Sequence, residues 1–151
     1  MSQKGFTLIE VLVSLSITSV TLIAISVSQI YAQQLSRFAL QEAQAFSLNQ
    51  FMAGHIQSNP LAALHGTFQQ PARHHPNCYQ QPGCTYQEQA KNALYSWQQQ
   101  ITKALPSGKG SICPTDSPSG LFCNLKNHFM VLKIRWEDSS GKHNAYHYIS
   151  F

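Results

Sequence analysis

The sequence predicts an α+β protein, in which one long N-terminal helix is followed by a small head of one helix and an antiparallel sheet. Three patterns support this fold class. Residues 6–58 contain no proline, and Gly54 is their only glycine, so a single helix can run through them. A helix-start signal occurs at Thr85, and residues 129–137 alternate between apolar and polar side chains, which is typical of a strand.

The first half of the long helix is predicted to cross a membrane. Residues 11–30 form an apolar run without a charge, and about 20 such residues span a bilayer. We therefore assign residues 6–30 to a membrane-embedded half and residues 31–59 to an amphipathic half. Asn59 and Pro60 end the helix, whose length is roughly 75–80 Å at 1.5 Å per residue.

Glu10 is an unusual residue for this position, because it lies inside the apolar stretch. A carboxylate at membrane depth costs about 3 kcal/mol on insertion scales. A conventional signal peptide, with cleavage near Ser28, or a plain single-pass anchor has no use for such a residue. The sequence therefore predicts that Glu10 has a function or meets a cation.

Residues 5–12, with the sequence GFTLIEVL, resemble the signal sequence of type IV prepilins and of the pseudopilins of type II secretion. The resemblance implies that residues 1–5 are a leader peptide, removed by a prepilin peptidase between Gly5 and Phe6. It also implies that Phe6 is then N-methylated. In that family the glutamate at the position of Glu10 pairs with the terminal amine of a neighbouring subunit during assembly.

The second half of the helix carries an apolar stripe at heptad-like intervals, which predicts packing against the head. The stripe consists of Leu35, Phe38, Ala45, Met52 and Ile56. Leu40 and Phe51 are expected on the opposite side. They are either filament contacts or exposed apolar residues without a special role.

The head is predicted to comprise residues 60–151. Residues 60–82 read as a loop, because four prolines and Gly66 punctuate them. A second helix begins at a capping box formed by Thr85 and Glu88 and ends at Pro106, with Trp97 in the core. Strands are expected at residues 111–113, 121–125, 129–137 and 143–151, with a turn over residues 138–142.

The four cysteines, Cys78, Cys84, Cys113 and Cys123, are disulfide candidates. An even number of cysteines in an exported domain favours disulfides, and their spacing does not match a zinc knuckle. The local pairs 78–84 and 113–123 are preferred, although three pairings are possible. His74 and His75 near Cys78 could suggest a metal site, but a solvated polar loop is the preferred interpretation, and no metal or cofactor is expected.

The chain has a formal charge of +4 but no run of adjacent lysines and arginines. Linear charge clustering therefore does not support nucleic-acid binding. A fold could still gather cations on one face. The candidates are Lys103, Lys109, Lys126, Lys133, Arg135 and Lys142. The motifs G-x-S-x-G and H-E-x-x-H and the P-loop are absent, so the chain is not expected to be an enzyme.

The head resembles the PilV group of minor pilins in residues 78–138, through Cys84-Thr85, a helix ending LPSGKG, and the strand VLKIRWED. The resemblance implies an inner-membrane protein with one spanning helix and a periplasmic head, which later moves to the pilus and cell surface. Its partners would be other minor pilins and the major pilin. The resemblance implies roles in pilus assembly and twitching motility. It also suggests a role in adhesion or DNA uptake.

Two alternatives remain open at this point. One is a minor pseudopilin of a type II secretion system, which the neighbouring genes would distinguish from a pilin. The other is a conventionally secreted, disulfide-stapled binding protein, for which the mature chain would begin near Ser28.

Overall fold

The computed structural model describes residues 7–80, 83–115 and 129–150. The predicted α+β class is confirmed, since a long helix precedes a small helix and a three-stranded antiparallel sheet. Short 3₁₀ turns lie at Thr67–Gln69 and Pro76–Tyr79. The helices and strands are α1 (Leu8–Ser58), α2 (Pro60–Leu64), α3 (Tyr86–Ala104), β1 (Lys109–Thr115), β2 (Phe129–Asp138) and β3 (Gly141–Ser150). The chain divides within α1, between Leu40 and Gln41, into two compact units.

The predicted end of α1 is confirmed, because the helix stops at Ser58. Asn59 then caps α2, and its side-chain oxygen accepts a hydrogen bond from the Ala62 amide at 3.3 Å. The prediction of a plain loop over residues 60–82 was wrong. Pro60 suits the first turn of a helix, and Phe68 is buried, so this segment forms short helical turns that pack into the core.

Helix α3 begins at the predicted capping box. The Thr85 hydroxyl accepts from the Glu88 amide at 3.3 Å, and the Glu88 carboxylate accepts from the Thr85 amide at 2.9 Å. Trp97 is fully buried, as predicted, and its Nε1 donates to the Leu48 carbonyl oxygen at 2.9 Å. The indole therefore joins α3 to the second half of α1.

The sheet has the strand order β1-β2-β3, and all neighbours are antiparallel. The predicted alternation of β2 is confirmed on the core face, where these residues are buried: Met130, Leu132, Ile134 and Trp136. Val131 was expected on the opposite face with Lys133, yet it is also buried. Its register partners are Cys113 and Tyr148, which flank it on the neighbouring strands.

The predicted stripe of α1 is confirmed only in part. Ala45, Met52 and Ile56 are fully buried, whereas Leu35 is 69% exposed. Leu35 was wrongly included, because the packed part of the helix begins near Gln41, whose side-chain oxygen accepts from Trp136 Nε1 at 3.1 Å. Leu40 and Phe51 are exposed, as expected. The strand predicted over residues 121–125 lies outside the described residues.

A disulfide joins Cys78 to Cys84, which is the local pair that the spacing favoured. The two Cα atoms lie 4.7 Å apart. This bridge leaves Cys123 as the one remaining partner in the sequence for Cys113. Cys123 lies outside the described residues, so the second pairing stays a prediction.

Candidate functional site

Glu10 lies in the first turn of α1, with its side chain exposed. The Thr7 carbonyl oxygen accepts from the amides of Glu10 and Val11, at 3.1 and 3.4 Å. A carboxylate near a helix N-terminus is favoured by the helix dipole. Glu10 is also the one charged residue between positions 8 and 36. Gly5 and Phe6 lie outside the described residues, so their predicted role in processing rests on the sequence.

The segment of α1 that follows Glu10 is apolar on all sides. Its large hydrophobic side chains, such as Leu15, Leu22 and Ile30, are exposed in this single chain. A helix that is apolar all round requires a membrane or a shell of protein partners. Within the described residues, α1 is the one helix that is long and apolar enough to cross a membrane. The segment is therefore compatible with membrane anchoring.

Six hydroxyl groups in this segment form hydrogen bonds with the backbone of the helix itself. Each donates to a backbone carbonyl oxygen three or four residues earlier, at 2.8–2.9 Å. These residues are Ser14, Ser16, Thr18, Ser19, Thr21 and Ser26. Such bonds lower the cost of placing hydroxyls in an apolar environment. Among the described residues, no side-chain hydrogen bond or ion pair compensates the Glu10 carboxylate beyond the helix dipole, which makes it the candidate functional residue of the segment.

The histidine-containing loop before the disulfide is tied to α3. The His75 amide donates to the Asn92 side-chain oxygen at 3.0 Å, and the Asn92 amide group donates to the Tyr79 hydroxyl at 3.0 Å. The Thr85 backbone and hydroxyl donors lower the pKa of the Glu88 carboxyl, and His75 Nδ1 lies 3.9 Å from it. In the described part of the chain, no three His, Cys, Asp or Glu residues form a group that could hold a metal.

Asp138, Ser140 and His143 form a cluster at the β2–β3 hairpin that we did not predict. Asp138 Oδ1 accepts from the Ser140 amide and hydroxyl at 2.8 and 2.6 Å. His143 Nε2 lies 3.0 Å from the Ser140 hydroxyl and 3.1 Å from Asp138 Oδ1. A catalytic triad uses the two different ring nitrogens for serine and aspartate, whereas here one nitrogen meets both. The cluster is therefore a turn-stabilising network, and the sequence Asp-Ser-Ser-Gly was its available signal.

Asp138→Asn is expected to lower the melting temperature at pH 7 and to have little effect near pH 2. The Ser140 hydroxyl and amide, with a smaller contribution from His143, lower the pKa of Asp138 from 3.8 to about 2. The stabilisation is thus present above about pH 4 and is lost as the pH falls through about 2. Thermal melts of the full chain in detergent at several pH values would measure this.

Glu137→Gln is the matched control for that experiment, because the described residues offer the Glu137 carboxylate no ion pair. The difference between the Glu137→Gln and wild-type melting temperatures should stay small across the same range. A difference for Asp138→Asn that does not change with pH would contradict the prediction.

Four of the six candidate cations come together on the sheet. Lys109, Lys133, Arg135 and Lys142 line one open cleft. Lys103 lies on α3 and does not line that cleft. The remaining candidate, Lys126, lies outside the described residues.

Residues 1–26 match a family described as the prokaryotic N-terminal methylation motif. The match includes Gly5, Phe6 and Glu10. It supports a type IV pilin-like or pseudopilin-like protein, which is consistent with the long helix and the small α+β head. No curated protein and no solved structure matches the chain.

Proposed function

We propose that the chain is a minor type IV pilin of the PilV kind, which helps to initiate or modify pilus assembly and supports twitching motility. The observation that carries the proposal is Glu10, a lone carboxylate in a helix segment that is otherwise uncharged and apolar on all sides. Inside a filament core such a carboxylate is costly unless it meets a cation. The methylated amine of Phe6 on a neighbouring subunit would supply that cation.

The two units of the chain suit two stages of this function. Before assembly, the apolar part of α1 would anchor the protein in the inner membrane, with its head in the periplasm. A prepilin peptidase would cleave after Gly5, and the subunit would then join other minor pilins and the major pilin. The chain would act as a structural subunit and not as an enzyme.

A minor pseudopilin of type II secretion is the second candidate, because the methylation motif and the apolar helix suit both classes. The resemblance of residues 78–138 to the PilV group favours the pilin. Recovery of the protein in sheared pili would support a pilin, and its retention with a secretion apparatus would support a pseudopilin.

The mass of the mature amino-terminal peptide tests the proposal directly. The protein would be purified from membranes or sheared pili of its native host. We expect a peptide that begins at Phe6 and carries one additional methyl group. Gly5→Val is the control, because the bulkier side chain should block cleavage and leave the leader attached.

A mature terminus near Ser28 would overturn the proposal. Cleavage there would remove Glu10 and the anchor, and the conventionally secreted binding protein would then be the better explanation.

A further inference from the structure

The outer face of the sheet, which points away from the core, carries a group of cations near the β2–β3 hairpin. We call Lys109, Lys133, Arg135 and Lys142 the basic face. The register places Lys109 opposite Arg135 and Glu137 opposite Lys142. The four cations line an open cleft of about 500 Å³. Residues far apart in the sequence thus form one positively charged surface.

The charge of the basic face is poorly compensated. Glu137 is the one carboxylate among the residues that line the cleft, against four lysines and arginines. In the described ranges, none of these four cations forms an ion pair. Clustered cations repel one another and raise the cost of the folded state unless an anion binds them. The surface is therefore suited to an anionic ligand.

Tyr146 lies beside the cations on the same face of the sheet, next to the residues that line the cleft. Tyr146 is the register partner of Lys133, and the Lys133 Nζ lies 5.1 Å from the centre of the Tyr146 ring. Tyr148 is next on the same face of β3, opposite Val131. Alternate residues of a strand are about 6.6 Å apart and neighbouring strands about 4.8 Å apart, so cations and rings recur at short intervals.

We propose that the basic face binds single-stranded nucleic acid, with the cations on the phosphates and Tyr146 against a base. Proteins that hold single strands combine a positive groove with aromatic rings on which bases stack. A duplex keeps its bases stacked within itself, so it would not use the tyrosine as a single strand would. This inference does not depend on the proposed pilin function, because it concerns binding by the purified chain.

Fluorescence anisotropy tests the proposal with the full chain in nonionic detergent and a labelled oligothymidylate of about 15 nucleotides. Four phosphate contacts predict a slope of about −3 in log binding constant against log salt concentration. Affinity should then fall about 50-fold between about 50 and 200 mM salt. A duplex of the same length should bind more weakly.

The variant Lys133→Gln with Arg135→Gln should halve that slope and weaken binding about 25-fold near 0.1 M salt. Lys91→Gln with Lys103→Gln is the matched control, because it removes the same charge from α3. The control should change affinity by about twofold or less. Tyr146→Leu should weaken binding of the single strand about fivefold or more, through loss of stacking. Tryptophan fluorescence would verify that each variant is folded.

Three results would overturn the proposal. Equal losses in the two double variants would show that net charge, and not the basic face, attracts the oligonucleotide. Tyr146→Leu binding as tightly as the wild type, or a duplex binding equally well, would exclude a single-strand site. Complete displacement of the oligonucleotide by mixed micelles of the same detergent with anionic phospholipid, with no displacement by unlabelled single strands, would identify a membrane-binding surface instead.

Discussion

Replacing Trp97 by alanine is expected to lower the free energy of unfolding of the head by about 3–5 kcal/mol. The indole is fully buried, so its removal leaves a cavity in the core. The substitution also removes the hydrogen bond from Nε1 to the Leu48 carbonyl oxygen, which joins α3 to α1. Since native domains are stable by about 5–15 kcal/mol, this loss is a large part of the total.

Urea denaturation of the full chain in detergent would measure the effect, with tryptophan fluorescence as the signal, which Trp136 alone supplies in the Trp97→Ala variant. Trp136 is buried and its Nε1 donates to Gln41, so it reports on the packing of the head. Phe46→Ala is the control, because this ring is 57% exposed and its removal should cost less than about 1 kcal/mol. Equal destabilisation by the two variants would contradict the prediction.

Gly110 provides a second test of the packing around Trp97. A β-carbon at this position would lie 2.6 Å from the Trp97 ring and from Ile101 Cδ1, which is too close for either to remain in place. Gly110→Ala should therefore destabilise the head by about 1–3 kcal/mol. Most of this cost should disappear in a Trp97→Ala background, because the cavity accommodates the methyl group. Additive costs would show that the two residues do not meet.

Features that depend on a few adjacent residues were predictable from the sequence. Asn59 and Pro60 end α1 because proline cannot continue a helix and restricts the residue before it. Thr85 and Glu88 begin α3 because each satisfies a free backbone amide of the other. The alternation in β2 predicted its core face because successive side chains of a strand point to opposite sides.

Features that depend on distant residues were not predictable in this way. Leu35 and Ala45 fit the same helical stripe, but only the tertiary packing determines that Ala45 is buried and Leu35 exposed. The basic face likewise requires the register that places Lys109 beside Arg135. A shift of one residue in that pairing would move its side chains to the other face. The positions of charges along the chain could therefore suggest the candidate cations, but they could not predict that four of these cations lie together on the sheet.

Glu10→Ala is expected to reduce incorporation of the protein into pili by at least tenfold. The proposal places the Glu10 carboxylate against the terminal amine of Phe6 on a neighbouring subunit, and breaking a buried pair of this kind costs about 3–5 kcal/mol. A loss of 1.4 kcal/mol already corresponds to a factor of ten in an equilibrium constant, so tenfold is a lower bound. Cleavage after Gly5 should continue, because the substitution leaves the cleavage site unchanged.

Quantitative immunoblots of sheared pili and of membranes would separate assembly from processing. Glu10→Asp keeps the charge on a shorter side chain. Incorporation of this variant should exceed that of Glu10→Ala, because assembly is proposed to require the charge. Glu42→Gln is the matched control, because Glu42 is exposed on the same helix beyond the uncharged segment. Normal incorporation of Glu10→Ala would contradict the proposed pair. Loss of both cleavage and incorporation would mean that Glu10 acts on the peptidase step. The prepilin peptidase would then recognise the lone carboxylate, and the carboxylate would not determine the register of the subunits.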